Sequence, residues 1–344
     1  LNGIRRILIT ILVAMGVGAL FIVAIGENPI DAYAALFRGA FDGELRLGTT
    51  LAGFTPLLLT SIAFAVAAKA GAFNVGVEGE VFLGGITAAY IGINWTFLPK
   101  PALYVACFVG AMVVAAAWAF IPAVLRAYYN VNEVCTTILM NTVALYITSY
   151  LVSGPMSAGT ANAQSLPVTV RLYQFMKPSS VNVGIFIAAI TVIVIIFMLQ
   201  KSSWGYKIRT VGLNPTHADY VGIDSKKVFV GAMMLSGMLG GMAGCIEVLG
   251  VHGYFLNNFA TGLGSNGMLA ALIVKNNMVS TPFMAFFLAV LKSGAMGMQQ
   301  STGVPKSLVD TITAVFIIIA TMETAFQFTK KRKKKTEEKK EDKA

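Results

Sequence analysis

Ala102-Leu-Tyr-Val-Ala-Cys-Phe-Val-Gly-Ala-Met-Val-Val-Ala-Ala-Ala-Trp-Ala-Phe-Ile-Pro-Ala-Val-Leu125 carries no charged side chain and is bounded by Lys100 and Arg126. A helix needs about 20 apolar residues to cross the hydrocarbon of a bilayer, and this run is long enough. Comparable stretches recur near 7–25, 47–68, 73–93, 131–152, 181–199, 228–249, 264–279, 281–298 and 307–327. Closed β-barrels are the only other spanning solution. These runs lack two-residue alternation and are about twice a transmembrane strand's length. The expected fold is therefore all-α: a polytopic transmembrane helix bundle of about ten spans, one or more of them broken, making one transmembrane domain over 1–327.

Composition agrees. Of 344 residues, 56% are hydrophobic and 12% charged, against about 25% charged in soluble domains, which excludes the soluble class. The net charge of +10 is concentrated in the run from Lys330 to Lys343, where Glu337, Glu338, Glu341 and Asp342 are interspersed. Such a mixed run reads as a disordered cytoplasmic tail over 328–344, with attraction to lipid headgroups as the alternative, and no nucleic-acid partner is expected. Cys107, Cys135 and Cys245 lie in apolar stretches without CxxC spacing, so they read as packing residues, and neither a metal site nor a disulfide is expected. Arg5 and Arg6 precede the apolar run Ile7 to Ile25, which is too long for a signal-peptide core.

With the N-terminus inside and ten crossings, 19 basic residues fall on the inner side and 6 on the outer. The positive-inside rule then strongly favours both termini inside. The weakest span is 264–279: Ser265, Asn266, Lys275, Asn276 and Asn277 leave only Met268 to Val274 apolar. Removing it would send the basic tail outside, so it is expected to be a short or broken segment buried by its neighbours. Irregular backbone at that depth is tolerated only against protein or a water-filled cavity, which hints at a pathway.

Two loops are long: an outer one, 153–180, suited to an extracellular partner, and an inner one, 201–227. In the inner loop Asn214 is a good N-cap, Pro215 suits the first helical position and Gly222 is a natural stop. A helix of about two turns, 215–221, is expected to stand alone there, exposing Ala218, Tyr220 and Val221. A helix this short is not stable alone, so docking into a partner's groove is one reading; a connecting loop at the membrane interface is the other. No GxxxxGK[ST] phosphate loop occurs. Gly262 to Gly267 is glycine-rich but has no Lys and opens an apolar span. Neither HExxH nor GxSxG is present, so catalysis is not expected and ATP with Mg²⁺ would have to be bound by another chain.

Polar residues inside spans are costly and mark cavities or partners. Asn74 and Glu78 lie four apart and would share a helix face, with Glu80 pointing away; they line a pathway, or else sit at the inner surface capping a helix or pairing with Lys69. Glu133, Thr137 and Asn141 form a polar stripe, serving as conduit wall or as interhelical glue. Gly237, Gly240, Gly241 and Gly244 include two GxxxG spacings and read as helix-packing positions, with Glu247 one turn beyond.

Four ordered motifs carry a resemblance: Ala72-Phe-Asn-Val-Gly-Val-Glu-Gly79; Val131-Asn-Glu-Val with Thr137-Ile-Leu-Met-Asn141; Gln164 with Leu166-Pro167; and Gly205 with Val211-Gly-Leu-Asn-Pro215 and Tyr220-Val-Gly-Ile223. Over roughly 50–325 the chain resembles the permeases of nucleoside and simple-sugar ATP-binding-cassette importers, within the branched-chain amino acid and ribose permease superfamily. The resemblance implies that Asn214, Pro215, His217, Ala218, Tyr220 and Gly222 belong to a coupling helix seated on a separate ATPase. It implies a second, identical or paralogous permease, and a solute-binding lipoprotein or periplasmic protein outside. It makes Asn74, Glu78, Glu133, Thr137 and Asn141 the pathway candidates, and Glu80 a departure where relatives often have Gln. Simple sugars and branched-chain amino acids are the alternative substrates. An ion-coupled secondary transporter is the rival class, since it too uses intramembrane carboxylates.

Overall fold

The computed structural model describes residues 15–24, 26–302, 307, 310–311 and 314, and all of its regular elements are helical apart from isolated bridges. Residues 7–14 and 25 of the first expected span and most of 307–327, together with Arg5, Arg6, Lys306 and the tail 328–344, lie outside the described residues. The chain divides into two compact units, Gly43–Val290 and the segments up to Asp42 and from Leu291.

The first helices are α1 (Met15–Ala24) and α2 (Pro29–Phe41), followed by α3 (Gly43–Lys69), α4 (Val77–Asn94), α5 (Lys100–Tyr129) and α6 (Glu133–Ser153). After the outer loop come α7 (Gly184–Lys201), α8 (Ser203–Leu213), α9 (Pro215–Tyr220), α10 (Ser225–Ile246, continued by a π-helical turn Glu247–His252), α11 (Leu263–Ile273) and α12 (Thr281–Thr302). Six helical segments are long and apolar enough to cross a membrane: α3, α5, α6, α7, α10 with its π turn, and α12; the bent pair α1 and α2 brings this to seven if counted as one span.

Within the larger unit, 78% of the apolar window of α3 and 72% of that of α10 are buried by protein, against 17% for α6 and 28% for α7. The first two form the centre and the last two present apolar faces outward. Composition explains the difference. Alanine and glycine along α10 let its neighbours approach closely, whereas α6 and α7 carry exposed Leu139, Tyr146, Ile190 and Phe197. In the smaller unit Ile22, Ala32, Leu36, Ala295 and Met298 form the core, and Gly39 lies against Gly294 and Gly297 where no Cβ fits.

Several sequence expectations change here. The span expected from 73 begins only at Val77, because residues 70–76 are turns and irregular chain. The resulting α4, 18 residues long, carries Glu78 and Glu80 in its first turn and is not among the six apolar spans, yet most of it is buried. Protein replaces lipid as its surroundings. The doubtful span 264–279 contains an 11-residue helix, α11, and then turns at Lys275 and Asn276, whose φ values of 56° and 55° are left-handed. It runs alongside α3 in the same direction, with Leu263 O accepting from Thr60 Oγ near its start and Val274 and Lys275 beside Lys69 at its end. The inner loop holds two helices: the 11-residue α8, capped by the Ser202 hydroxyl at Gly205 N–H, precedes α9.

The outer loop is tied down along its length. Ser165 N–H donates to Phe255 O, Val168 N–H to Gly253 O and Leu172 N–H to Leu249 O, while Thr169 donates twice to Gly92 O. These bonds satisfy irregular backbone on both sides of the strap, including that of the buried Phe255.

Candidate translocation pathway and coupling helix

Two helices begin inside the bundle. Both α4 and α11 start near Thr60, about nine residues short of the end of α3, and Gly264 of α11 packs against the backbone of Glu78 with no room for a Cβ. Glu78 is partly exposed, and Ser265, exposed in the first turn of α11, donates to Glu78 Oε2 at 3.3 Å. Helix N-termini carry unpaired N–H groups and a partial positive charge, so a polar, accessible spot forms where the two meet.

Asn74 does not share a helix face with Glu78, because it precedes the helix. It is fully buried, and Nδ2 donates to Glu80 Oε1 (2.8 Å) and to Ser236 Oγ (2.9 Å) while Oδ1 accepts from Gly76 N–H (2.9 Å). Asn74 thus braces α10 against the start of α4. Glu80, expected to point elsewhere, is the carboxylate that Asn74 holds; its Oε2 is buried without a partner beside Gly240, where a Cβ would come within 2.8 Å. The turn at 70–76 reverses the expected geometry, and the glycines at 71 and 76 were its only sequence signal.

The α6 stripe faces the same place. Asn141 Nδ2 donates to Val75 O and its Oδ1 accepts from Gly79 N–H, both at 2.8 Å, clamping the entry into α4. Thr137 is buried, bonded to Glu133 O (2.7 Å) and packed on Gly76. Glu133 pairs with Arg126 at 3.1 Å. Of the five candidates, Glu78 is therefore the accessible carboxylate, Thr137, Asn141 and Asn74 shape the wall around it, and Glu133 sits in an ion pair away from it. Sequence reasoning passed over Thr60, Ser236 and Ser265 as members of this cluster. Among the described residues no group of three or more His, Cys, Asp or Glu side chains could hold a metal ion.

The glycines of α10 mark two of its contacts, those with α5 and α4. Gly237 and Gly241 lie against the carbonyls of Ala115 and Ala111 on α5; Gly240 and Gly244 lie against α4 at Glu80 and at Val81 and Gly85. Gly84 of α4 in turn meets Gly241 backbone to backbone. Glu247, 8% exposed in the π turn, has Oε2 3.6 Å from His252 Nε2.

At the opposite end of the loop, Asn214 Oδ1 accepts from His217 N–H at 3.0 Å, Pro215 opens α9, and Gly222 at φ 80° closes it, with Ile223 N–H reaching back to Ala218 O. Ala218, expected to be exposed, is fully buried and joins Ile208, Val211 and Val228 in the main core. Tyr220 is 87% exposed, Val221 55% and Leu213 88%. One small residue anchors the helix and the large ones face outward. Asp224 caps α10 through Lys227 N–H and pairs with the Lys227 ammonium at 3.0 Å, and the first of these holds its carboxyl below the ordinary aspartate range.

Six helices long and apolar enough to span, together with two helices that share a polar cluster at their start, make this a multi-pass membrane protein. Residues 46–321 match the family model described as branched-chain amino acid transport system, permease component, and the chain belongs to that family. It is similar to a guanosine ABC transporter permease protein of Bacillus subtilis, 33% identical over 95% of this chain and 96% of that one. A glucose ABC transporter permease protein of Haloferax volcanii is 32% identical (90% and 85% covered), and a nucleoside ABC transporter permease protein of Lactococcus lactis 30% identical (92% and 91%).

Proposed function

We propose that the chain is half of the membrane conduit of a nucleoside importer of the ATP-binding-cassette class. A separate ATPase, which binds ATP and Mg²⁺, drives it through α9, and a second permease and an extracellular solute-binding protein complete it. The carrying observation is α9 itself: a six-residue helix, capped at both ends and anchored by Ala218, that turns Tyr220 and Val221 into solvent. An exposed aromatic beside exposed aliphatic residues on a rigid support is the pattern of a docking hot spot. Nucleoside is supported by the guanosine and nucleoside permeases among the relatives; the glucose permease makes simple sugars the second reading.

In this mechanism ATP binding closes the ATPase pair, α9 follows, and the permease halves rock between outward and inward openings. Glu78 and Ser265, with Asn141 and Asn74 holding the turn behind them, give the solute polar contact at the start of two half-helices. The bilayer is crossed ten times with both termini in the cytoplasm of a bacterial inner membrane. Residues 70–76 with α4 make one crossing, and 253–274 with α11 make another. The 1–327 permease domain is followed by a charged cytoplasmic tail.

The test reconstitutes the chain with its ATPase, partner permease and binding protein and measures ATP-dependent uptake of labelled guanosine, glucose and leucine. Guanosine alone is expected to accumulate. Tyr220→Asp should retain the fold and lose roughly 30-fold in ATPase affinity, the scale of an interface hot spot. Uptake of leucine or glucose without guanosine would refute the substrate, and normal transport by Tyr220→Asp would refute the coupling role of α9.

A further inference from the structure

A second polar site lies at the ends of three helices. A pocket of about 380 Å³ is framed by the C-terminal ends of α3, α7 and α11 and by α8. Lys69, Arg209 and Lys275 line it together with Gln200 and Asn277, and among the described residues no carboxylate lines it. Among the described residues none of the three cations is in an ion pair. Three like charges around one small pocket repel one another unless an anion sits among them.

Helix C-termini attract cations, so the simplest alternative is that these side chains offset helix dipoles. The bonding argues against it. Near the end of α3 the carbonyls of Ala67 and Ala68 accept from the N–H groups of Ala70, Gly71 and Ala72, and near the end of α11 those of Ala271 and Leu272 accept from Asn276 and Lys275 N–H. None of the three cationic heads donates to them. Asn277 Oδ1 is already occupied by the N–H groups of Val279 and Ser280, which leaves its amide nitrogen as a donor. Lys275 is also held at φ 56° next to Asn276 at φ 55°, backbone that glycine would adopt with less strain.

The other wall is aliphatic, formed by Leu199, Val274 and Met278. The same α8 carries Tyr206, 57% exposed, and the partly buried Trp204, aromatic residues that suit a membrane–water boundary. A free anion gains nothing from a greasy wall, whereas a phospholipid gains from both. We propose that this pocket binds a phosphate group, that of an anionic phospholipid whose glycerol and acyl carbons lie on the aliphatic wall. The site is independent of the substrate and of the coupling role of α9.

The test uses the purified full chain in detergent, with phosphatidylglycerol, phosphatidylcholine and inorganic phosphate as probes, read by native mass spectrometry and thermal shift. Phosphatidylglycerol is expected to be retained and phosphatidylcholine not. Each cation contributes about fivefold, so Lys69→Gln, Arg209→Gln and Lys275→Gln together lose about a hundredfold. Lys201→Gln, outside the lining, retains the lipid. Should the triple variant fail to fold, the exposed Lys275→Gln alone is expected to lose about fivefold. Equal retention by wild type and variants overturns the proposal. So does binding of inorganic phosphate with no phosphatidylglycerol adduct, which makes it a soluble-anion site. Loss of the ATPase with unchanged lipid binding also overturns it, by assigning the cations to an acidic surface of that partner.

Discussion

Asn141 uses both ends of its amide on one turn. The carbonyl oxygen takes the Gly79 N–H, an orphan donor of the first turn of α4, and the NH₂ group satisfies Val75 O. Truncation leaves both groups short of a partner in a largely dry place, and each unsatisfied group costs about 1–3 kcal/mol. Asn141→Ala is expected to destabilise the protein by about 2 kcal/mol, seen as a lowered midpoint of thermal unfolding in detergent. A change under about 0.5 kcal/mol would show that the clamp is not needed. The polar stripe Glu133, Thr137, Asn141 was legible in the sequence because four-residue spacing on a long helix fixes one face. Which neighbour that face meets was not legible, since it depends on the break before Val77.

At the scale of the element, α10 is decided by what it lacks. A Cβ at Gly244 would overlap the carbonyl oxygen of Val81 and come within 2.7 Å of Gly85 N, both backbone atoms that cannot rotate aside. Gly244→Ala should therefore push α4 and α10 apart and cost about 1–3 kcal/mol, as overpacking does. Gly53 on α3 is the control: it is exposed, with nothing within 4 Å of a Cβ, so Gly53→Ala should be neutral or stabilise by up to about 1 kcal/mol. Equal midpoints for the two variants would contradict the close approach of α4. The same reasoning accounts for α8, which sequence reading left within a loop. Its apolar residues Ile208 and Val211 are too few to signal a span and count only because α7, α9 and α10 supply the surface α8 packs against.

At the scale of the molecule the question is how many times the chain crosses. Length and hydropathy recognise α3, α5, α6, α7, α10 and α12, and neither α4 nor the 253–274 segment is among them, so their crossing is part of the proposal. The ten crossings proposed above would place α9 and the 153–180 strap on opposite faces. In a variant with Cys107, Cys135 and Cys245 replaced, a single cysteine at Thr216 should react with a membrane-impermeant thiol reagent only in inside-out vesicles. One at Asn162 should react only in intact cells or right-side-out vesicles. Labelling of both from the same side would overturn the topology.

The sequence by itself determined the class of the molecule, its long outer helices and the ends of α9, because hydrophobic length, N-capping by Asn214 and stopping by Gly222 are local properties. Only the tertiary structure decided that α4 and α11 begin inside the bundle, that Asn74 holds Glu80 and leaves Glu78 to Ser265, and that Ala218 is an anchor buried from the solvent. Those outcomes turn on irregular backbone at 70–76 and 253–262, where no periodicity fixes a face. Its conformation is set by partners distant in the chain that satisfy its N–H and C=O groups.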